Sequence, residues 1–199
     1  MRRVYIIVLL SMTFICHACG NNFERPGEID PDVILKGSFE SKFVRYAEGD
    51  GFAGIALKIW SDTVWQNDRI HKQLILWSEE GTFRKLSYAV SDLKSENYTI
   101  DGNNLQLRFG KYVKGDSQAL DCGMQSDIRT GVLQADALSP KVVTSLSTDD
   151  PLKIWLTLNI PADAAPGRYT GSIAVKEDDI EIEKFDMDIM VVNHKLPDV

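Results

Sequence analysis

The chain has 199 residues, of which 44% are hydrophobic and 26% charged, and its formal net charge at pH 7 is −7. This apolar content is enough for one packed domain and argues against a disordered tail protein. A (β/α)8 barrel alone needs about 200–250 residues, so a catalytic barrel beside a second domain does not fit. The acidic balance and the lack of a Lys/Arg cluster predict that nucleic acid is not a partner.

The N-terminal residues are typical of an export signal. Two arginines precede an apolar stretch that is shorter than the roughly 20 residues needed to span a bilayer as a helix. We therefore predict a signal peptide over residues 1–18. Cys19 follows a small residue and precedes Gly20-Asn21-Asn22, which resembles the lipobox of bacterial lipoproteins. We expect an exported protein anchored through a lipid on Cys19 to the bacterial envelope, most simply the outer membrane; plain secretion is the alternative.

Residues 19–36 have the composition of a linker. They carry Pro26, Gly27 and Pro31 together with acids and few large apolar side chains. Such a segment buries too little surface to offset the entropy of ordering, so it is predicted to be a tether between membrane and fold. The folded domain is then expected over residues 37–199.

Within that domain, apolar residues recur at every second position, which is the period of a strand with one buried face. The alternating sets are Leu105, Leu107 and Phe109; Ile154, Leu156, Leu158 and Ile160; and Phe185, Met187, Ile189 and Val191. Further strand-like runs cover Gly51 to Trp60, Ile70 to Trp77 and Leu86 to Val90. No window of a dozen residues shows a helical apolar stripe, so the chain is predicted to be all-β.

Two hairpins are predicted from turn residues that accept positive φ. One is centred on Asp101-Gly102-Asn103-Asn104, and the other on Glu177-Asp178-Asp179. Short strands at this spacing favour a two-sheet antiparallel β-sandwich of eight to ten strands, immunoglobulin-like or jelly-roll-like, over a barrel.

The segment Ile154 to Gly171 predicts a sharp corner between two strands. The first strand ends at Pro161, Pro166-Gly167 turns the chain, and the next strand begins at Tyr169. A tyrosine at this place is suited to a ring buried between the sheets with its hydroxyl bonded back to the backbone, as in the tyrosine corner of other sandwiches. Pro166, Gly167 and Tyr169 are therefore candidate fold-specifying residues.

This corner, together with the final strand that runs into Leu196-Pro197, resembles the β-sandwich that precedes the catalytic barrel in glycoside hydrolase family 123 and related bacterial proteins. Weaker similarities lie upstream, at Ile59-Trp60-Ser61, Gln73 to Trp77, Lys111-Tyr112-Val113 and Ala135 to Leu138. The resemblance covers about residues 37–199.

The resemblance limits what chemistry is expected here. In that family, hydrolysis of β-linked N-acetylgalactosamine is attributed to a neighbouring Asp-Glu pair on the barrel, with the acetamido group of the substrate as nucleophile. This sequence stops where the barrel would begin, so it is expected to be a truncated or split product, or a domain ending at its boundary, that supports or docks a missing catalytic barrel. A freestanding glycan-binding lipoprotein and a structural exported sandwich are the alternatives.

No catalytic residue, metal site or cofactor is predicted within the chain. Its adjacent acids are expected to be solvated: Glu79-Glu80, Asp149-Asp150, Glu177 to Asp179, and Asp186 with Asp188. His71 and His194 fall in separate strands and lack a second ligand or nucleophile nearby in sequence.

Tryptophans are the remaining candidates for recognition. Trp155 alternates against Ile154 and Leu156, so it is predicted to face away from the buried side of its strand. Trp60, Trp77 and Trp155 are candidates for stacking on a sugar or for contacting another domain, with burial in the core as the alternative.

Overall fold

The computed structural model describes residues 34–115, 132–148 and 150–197. Cys19, the signal peptide and nearly all of the tether lie outside the described residues. The described part contains eleven strands: β1 (Leu35–Glu40), β2 (Ile59–Gln66), β3 (Arg69–Ser78), β4 (Leu86–Val90), β5 (Leu93–Lys94), β6 (Thr99–Ile100), β7 (Leu105–Gly115), β8 (Val132–Ser139), β9 (Leu152–Asn159), β10 (Gly167–Glu177) and β11 (Ile180–Lys195). A 3₁₀ helix of three residues is the one helical element there, and no helix in this part meets the length and hydropathy of a membrane-crossing segment.

The strands form two sheets that pack face to face, which confirms the predicted all-β sandwich. Sheet A has the order β1-β3-β9-β7-β8, and all of its neighbours are antiparallel. Sheet B has the order β2-β11-β10-β5-β6, with β4 also paired to β10. One pairing differs from the antiparallel arrangement of the other strands, because β2 runs parallel to β11. Parallel pairing needs a long connection, and most of the chain lies between these two strands.

The core lies between the two sheets and is built from the predicted alternation. The series from β9 and β11 are buried at every second position and more exposed between: Ile154, Leu156, Leu158, Phe185, Met187, Ile189 and Val191 are each at most 1% exposed. Each of these strands therefore presents one face to the core and the opposite face outward, and this alternation determines which side chains can form a site.

One predicted hairpin was confirmed and the other was wrong. β10 and β11 are joined by a tight turn in which Asp178 and Asp179 have φ of 47° and 68°, as a two-residue hairpin requires. The segment at Asp101 instead carries the chain from sheet B to sheet A through the 3₁₀ helix. The carboxylate of Asp101 accepts from the backbone N–H of Asn103, and the carboxylate of Asp92 accepts from the backbone N–H of Gly102. These two bonds cap the N-terminus of the 3₁₀ helix, which connects the two sheets.

The predicted strand from Gly51 to Trp60 was also wrong, since strand structure begins only at Ile59. Residues 41–58 form a long loop, called the cover loop below, that crosses the outer face of sheet A. Its backbone is bonded at the far edge of that sheet, where the N–H of Glu48 donates to Leu133 and the carbonyl of Tyr46 accepts from Ala135. These contacts lie far from the loop in sequence, so local periodicity does not reveal them.

The corner between β9 and β10 has the geometry of a tyrosine corner. The Tyr169 ring is fully buried, and its hydroxyl donates to the carbonyl oxygen of Ala165 over 2.6 Å. Gly167 has a φ of 156°, a backbone conformation that favours glycine. The corner directs the chain into β10, the strand that β11 and β4 flank.

Candidate functional site

The outer face of sheet A carries a groove about 270 Å³ in volume, which we call the Trp155 groove. Strand alternation determines which side chains form its floor. Gln73 of β3 pairs with Trp155 of β9, and both side chains point away from the core, whereas the next pair, Leu74 and Ile154, points into it. The lining comes from β3, β7, β8, β9 and the cover loop, and its main members are Tyr46, Gln73, Gly110, Asp136, Lys153 and Trp155.

Gln73 attaches the cover loop to the sheet. Its side chain is 8% exposed, and Nε2 donates to the carbonyl oxygens of Ser41 and Val44 over 2.8 and 2.7 Å. Both N–H donors of the amide are therefore used within the protein. The cover loop forms one wall of the groove, and the Gln73 amide of β3 holds this wall in place.

Lys153 is a buried cation beside the groove. The residue is 5% exposed, and its ammonium group donates to the Tyr112 hydroxyl and lies 3.4 Å from the Asp150 carboxylate. Burial lowers the pKa of Lys153, while the neighbouring Asp150 opposes this shift. Tyr112 also donates to Asp150 over 2.8 Å, so the three side chains form one hydrogen-bonded cluster.

The indole of Trp155 is oriented by a histidine. Trp155 Nε1–H donates to Nδ1 of His71 over 3.3 Å, and the Thr157 hydroxyl lies 3.1 Å from the same nitrogen. A nitrogen that accepts from an indole carries no proton, so this geometry describes neutral His71. Burial lowers the pKa of the imidazole, and the nearby cations Lys42 and Arg69 lower it further.

This arrangement predicts an acid-sensitive contribution to stability. The unfolded chain takes up a proton at His71 near the ordinary pKa of 6.5, whereas the folded chain does so only at lower pH. Between these values the unfolded state holds more protons, so the free energy of unfolding falls as the pH drops through 6.5 and is unaffected above it. Urea unfolding at about pH 7.5 and about pH 5.5 should show a smaller loss in His71→Gln than in the wild type. Equal losses in the two proteins would contradict the neutral, indole-accepting state.

The structure separates the three tryptophans named from the sequence. Trp60 is fully buried and packs against Phe39, with ring centroids 6.1 Å apart. Trp60 is therefore a core residue, and its indole is not accessible to a sugar or to another domain. Trp77 is partly buried and stacks on Phe52 of the cover loop at 4.6 Å. Only Trp155 lines the groove among these three.

Several of the acids expected to be solvated are partners in surface ion pairs. Asp188 accepts from Nε and Nη2 of Arg168 over 2.6 and 2.7 Å, and the hydrogen bond from Arg168 lowers the pKa of the Asp188 carboxyl. Asp178 pairs with Lys85 at 2.7 Å. Across residues 34–115, 132–148 and 150–197, no group of three or more His, Cys, Asp or Glu side chains is arranged to hold a metal ion.

A second exposed surface lies at the C-terminal end of β11 and was missed from the sequence. Trp65 of β2 is 43% exposed, its ring lies 4.3 Å from that of His194, and Met190 on the same outer face is 40% exposed. We call Trp65, Met190 and His194 the terminal patch. The sequence gives no clear signal for the outward direction of Trp65, because Asp62 interrupts the alternation of β2 and the pairing with β11 is not visible in sequence.

The fold and the groove define a β-sandwich module with a recessed aromatic and polar site on one outer face. The family model for the glycoside hydrolase 123 N-terminal domain matches residues 36–177, more than half of the chain. The chain belongs to this family.

One solved structure supports the fold. A family 123 glycoside hydrolase from Clostridium perfringens, studied for the hydrolysis of glycolipid glycans, matches with a TM-score of 0.68 at 23% identity. The match covers 82% of this chain and 28% of that chain, so the present chain spans well under a third of that protein. AvmM, which catalyses macrocyclization in alchivemycin A biosynthesis, matches with a TM-score of only 0.41 at 8% identity, over 85% of this chain and 93% of its own. No curated protein matches this chain.

Proposed function

We propose that this chain is a noncatalytic N-terminal sandwich that supports and docks a glycosidase domain. The observation that carries the proposal is the position of the terminal patch, which lies beside the C-terminal end of the described chain in a member of the glycoside hydrolase 123 N-terminal family. The occupant we propose for the patch is the glycosidase domain that the family resemblance places after the sandwich.

The backbone near this end is held firmly to the sandwich. The N–H of Leu196 donates to the carbonyl of Gln66 over 3.0 Å. The side-chain amide of Asn67, which has a φ of 61°, donates to the carbonyls of Leu196 and Pro197. Chain that continues from Pro197 would leave from a defined point next to Trp65, which favours a fixed orientation between the sandwich and a following domain.

The chemistry of the terminal patch is suited to a protein interface. Trp65, Met190 and His194 combine an aromatic ring, a flexible thioether and an imidazole on one outer face, and tryptophan and methionine are enriched at such interfaces. Ser61, Thr63 and the Arg168–Asp188 ion pair lie alongside on the same face of sheet B and supply a polar rim. Apolar residues beside a polar rim are the usual anatomy of a domain contact.

The test begins with the genomic sequence beyond codon 199. The proposal expects a glycosidase domain encoded in the same or the adjoining reading frame, and an encoded product that binds this chain in isothermal titration calorimetry. Trp65→Ala should weaken that binding at least about tenfold, because truncating a buried aromatic anchor commonly costs this much.

Trp77→Ala is the matched control, since Trp77 lies on the outer face of the opposite sheet. It should leave the affinity unchanged. The absence of any neighbouring glycosidase-coding frame would overturn the proposal, and so would a loss of binding in Trp77→Ala that is absent in Trp65→Ala.

A further inference from the structure

We propose that the Trp155 groove binds one neutral pyranose unit of a glycan, with the sugar ring stacked on the Trp155 indole. This site is on the sheet opposite to the terminal patch, and it does not depend on the proposed docking function. Its evidence is the size of the groove, the fixed aromatic surface, the two ion pairs around it and the glycine in its floor.

The size of the groove selects a small ligand. Its volume of about 270 Å³ lies just below the range of about 300–1,000 Å³ that is typical of drug-sized ligands. A single pyranose ring with its substituents fills such a space, whereas a folded peptide segment or a nucleotide with its phosphates is larger. The open side toward solvent leaves room for the rest of a glycan chain.

The indole is prepared for stacking. The hydrogen bond from Nε1 to His71 prevents free rotation of the ring, so little conformational entropy is lost when a ligand binds. Leu138 and Val44, which are 42% and 38% exposed, add apolar surface in the same groove. The C–H face of a pyranose is the ligand surface that an ordered indole and exposed aliphatic groups fit best.

The charges around the groove favour a neutral sugar. Asp136 pairs with Arg45 at 3.7 Å, and Lys153 lies 3.4 Å from Asp150. The ammonium group of Lys42, also in the lining, lies 5.3 Å from the centre of the Phe43 ring, and the carboxylate of Glu40 interacts with Tyr46. An Arg–Asp pair whose side chains are 56% and 36% exposed can donate to one sugar hydroxyl and accept from the next.

The floor of the groove depends on a glycine. A Cβ added at Gly110 would lie 3.1 Å from Cβ of Lys153 and 3.5 Å from Cβ of Ala135. Any larger residue at this position would project from the outer face of β7 into the space beside Trp155. The groove therefore exists because this strand position carries no side chain.

The experiment follows the four indole N–H signals of the full chain labelled with ¹⁵N-tryptophan. The probes are the methyl β-glycosides of glucose, galactose, N-acetylglucosamine and N-acetylgalactosamine, with methyl β-glucuronide as an acidic comparison. At least one neutral probe should shift the Trp155 signal saturably, with a Kd on the order of 1 mM, as expected for about a dozen heavy atoms. The Trp60 signal should not move, because that indole is in the core.

Two variants and one control make the result decisive. Asp136→Ala alters an exposed side chain and should weaken binding about tenfold. Trp155→Ala should abolish binding, as measured by ligand-observed saturation-transfer spectra. Trp77→Phe alters an aromatic residue of the same sheet outside the groove lining and should bind like the wild type. The proposal is overturned if no neutral probe shifts Trp155, if the glucuronide binds tenfold more tightly than every neutral probe, or if Trp77→Phe loses binding.

Discussion

Trp60→Ala is expected to lower the free energy of unfolding by about 3–5 kcal/mol, the usual cost of truncating a buried aromatic side chain. The side chain is 0% exposed and packs against Phe39, which in turn contacts Phe185 from sheet B at 5.8 Å. Removing the indole leaves a cavity where β1, β2 and β11 meet, and flanking strands close such a space only in part. Equilibrium urea unfolding followed by far-UV circular dichroism measures the loss.

Trp65→Ala is the matched control, five residues along the same strand. Its side chain is 43% exposed and faces outward, so the free energy of unfolding should change by less than about 1 kcal/mol. A loss in Trp65→Ala as large as that in Trp60→Ala would mean that the faces of β2 are assigned the wrong way round. A small loss in Trp60→Ala would remove this residue from the core.

The contrast between these tryptophans shows where sequence reasoning stops. β9 and β11 have regular alternation, and their buried and outward faces were predicted from it. β2 has Asp62 at the same parity as the buried Trp60 and Val64, so its alternation is broken. The faces of β2 are set by parallel pairing with β11, more than a hundred residues later, and pairing at that distance leaves no local signal.

The candidate site was predicted in the same partial way. The outward direction of Trp155 follows from strand parity, and the structure places this residue in the groove. The wall formed by the cover loop was not foreseen, because the loop is held by the Gln73 amide and by the edge of β8. Lys153 is a lysine at an outward parity, a pattern that predicts a solvated cation. In the structure it is buried beside Tyr112, with its ammonium group 5.9 Å from the centre of the Tyr46 ring of the cover loop.

Gly37 is a further position whose importance is invisible in sequence, and Gly37→Ala should destabilise the domain by about 3 kcal/mol, at the upper end of the usual cost of overpacking. A Cβ on Gly37 would lie 2.5 Å from Cζ of Phe185, 2.6 Å from Cδ2 of Leu76 and 2.9 Å from the carbonyl oxygen of Ile75. The two side chains are in the core, and the carbonyl belongs to β3, which pairs with β1. Relief therefore requires β1 to move away from both its partner strand and sheet B.

Gly51→Ala makes the same chemical change where nothing lies within 4 Å of the added Cβ and φ is not positive. It should leave stability unchanged or raise it by up to about 1 kcal/mol, because alanine restricts the unfolded chain. The urea midpoint of Gly37→Ala should therefore fall, whereas the midpoint of Gly51→Ala should stay at the wild-type value or rise. Equal midpoints would mean that β1 does not lie against Phe185, and the edge of sheet A that supports Gln73 and the cover loop would then need a different register.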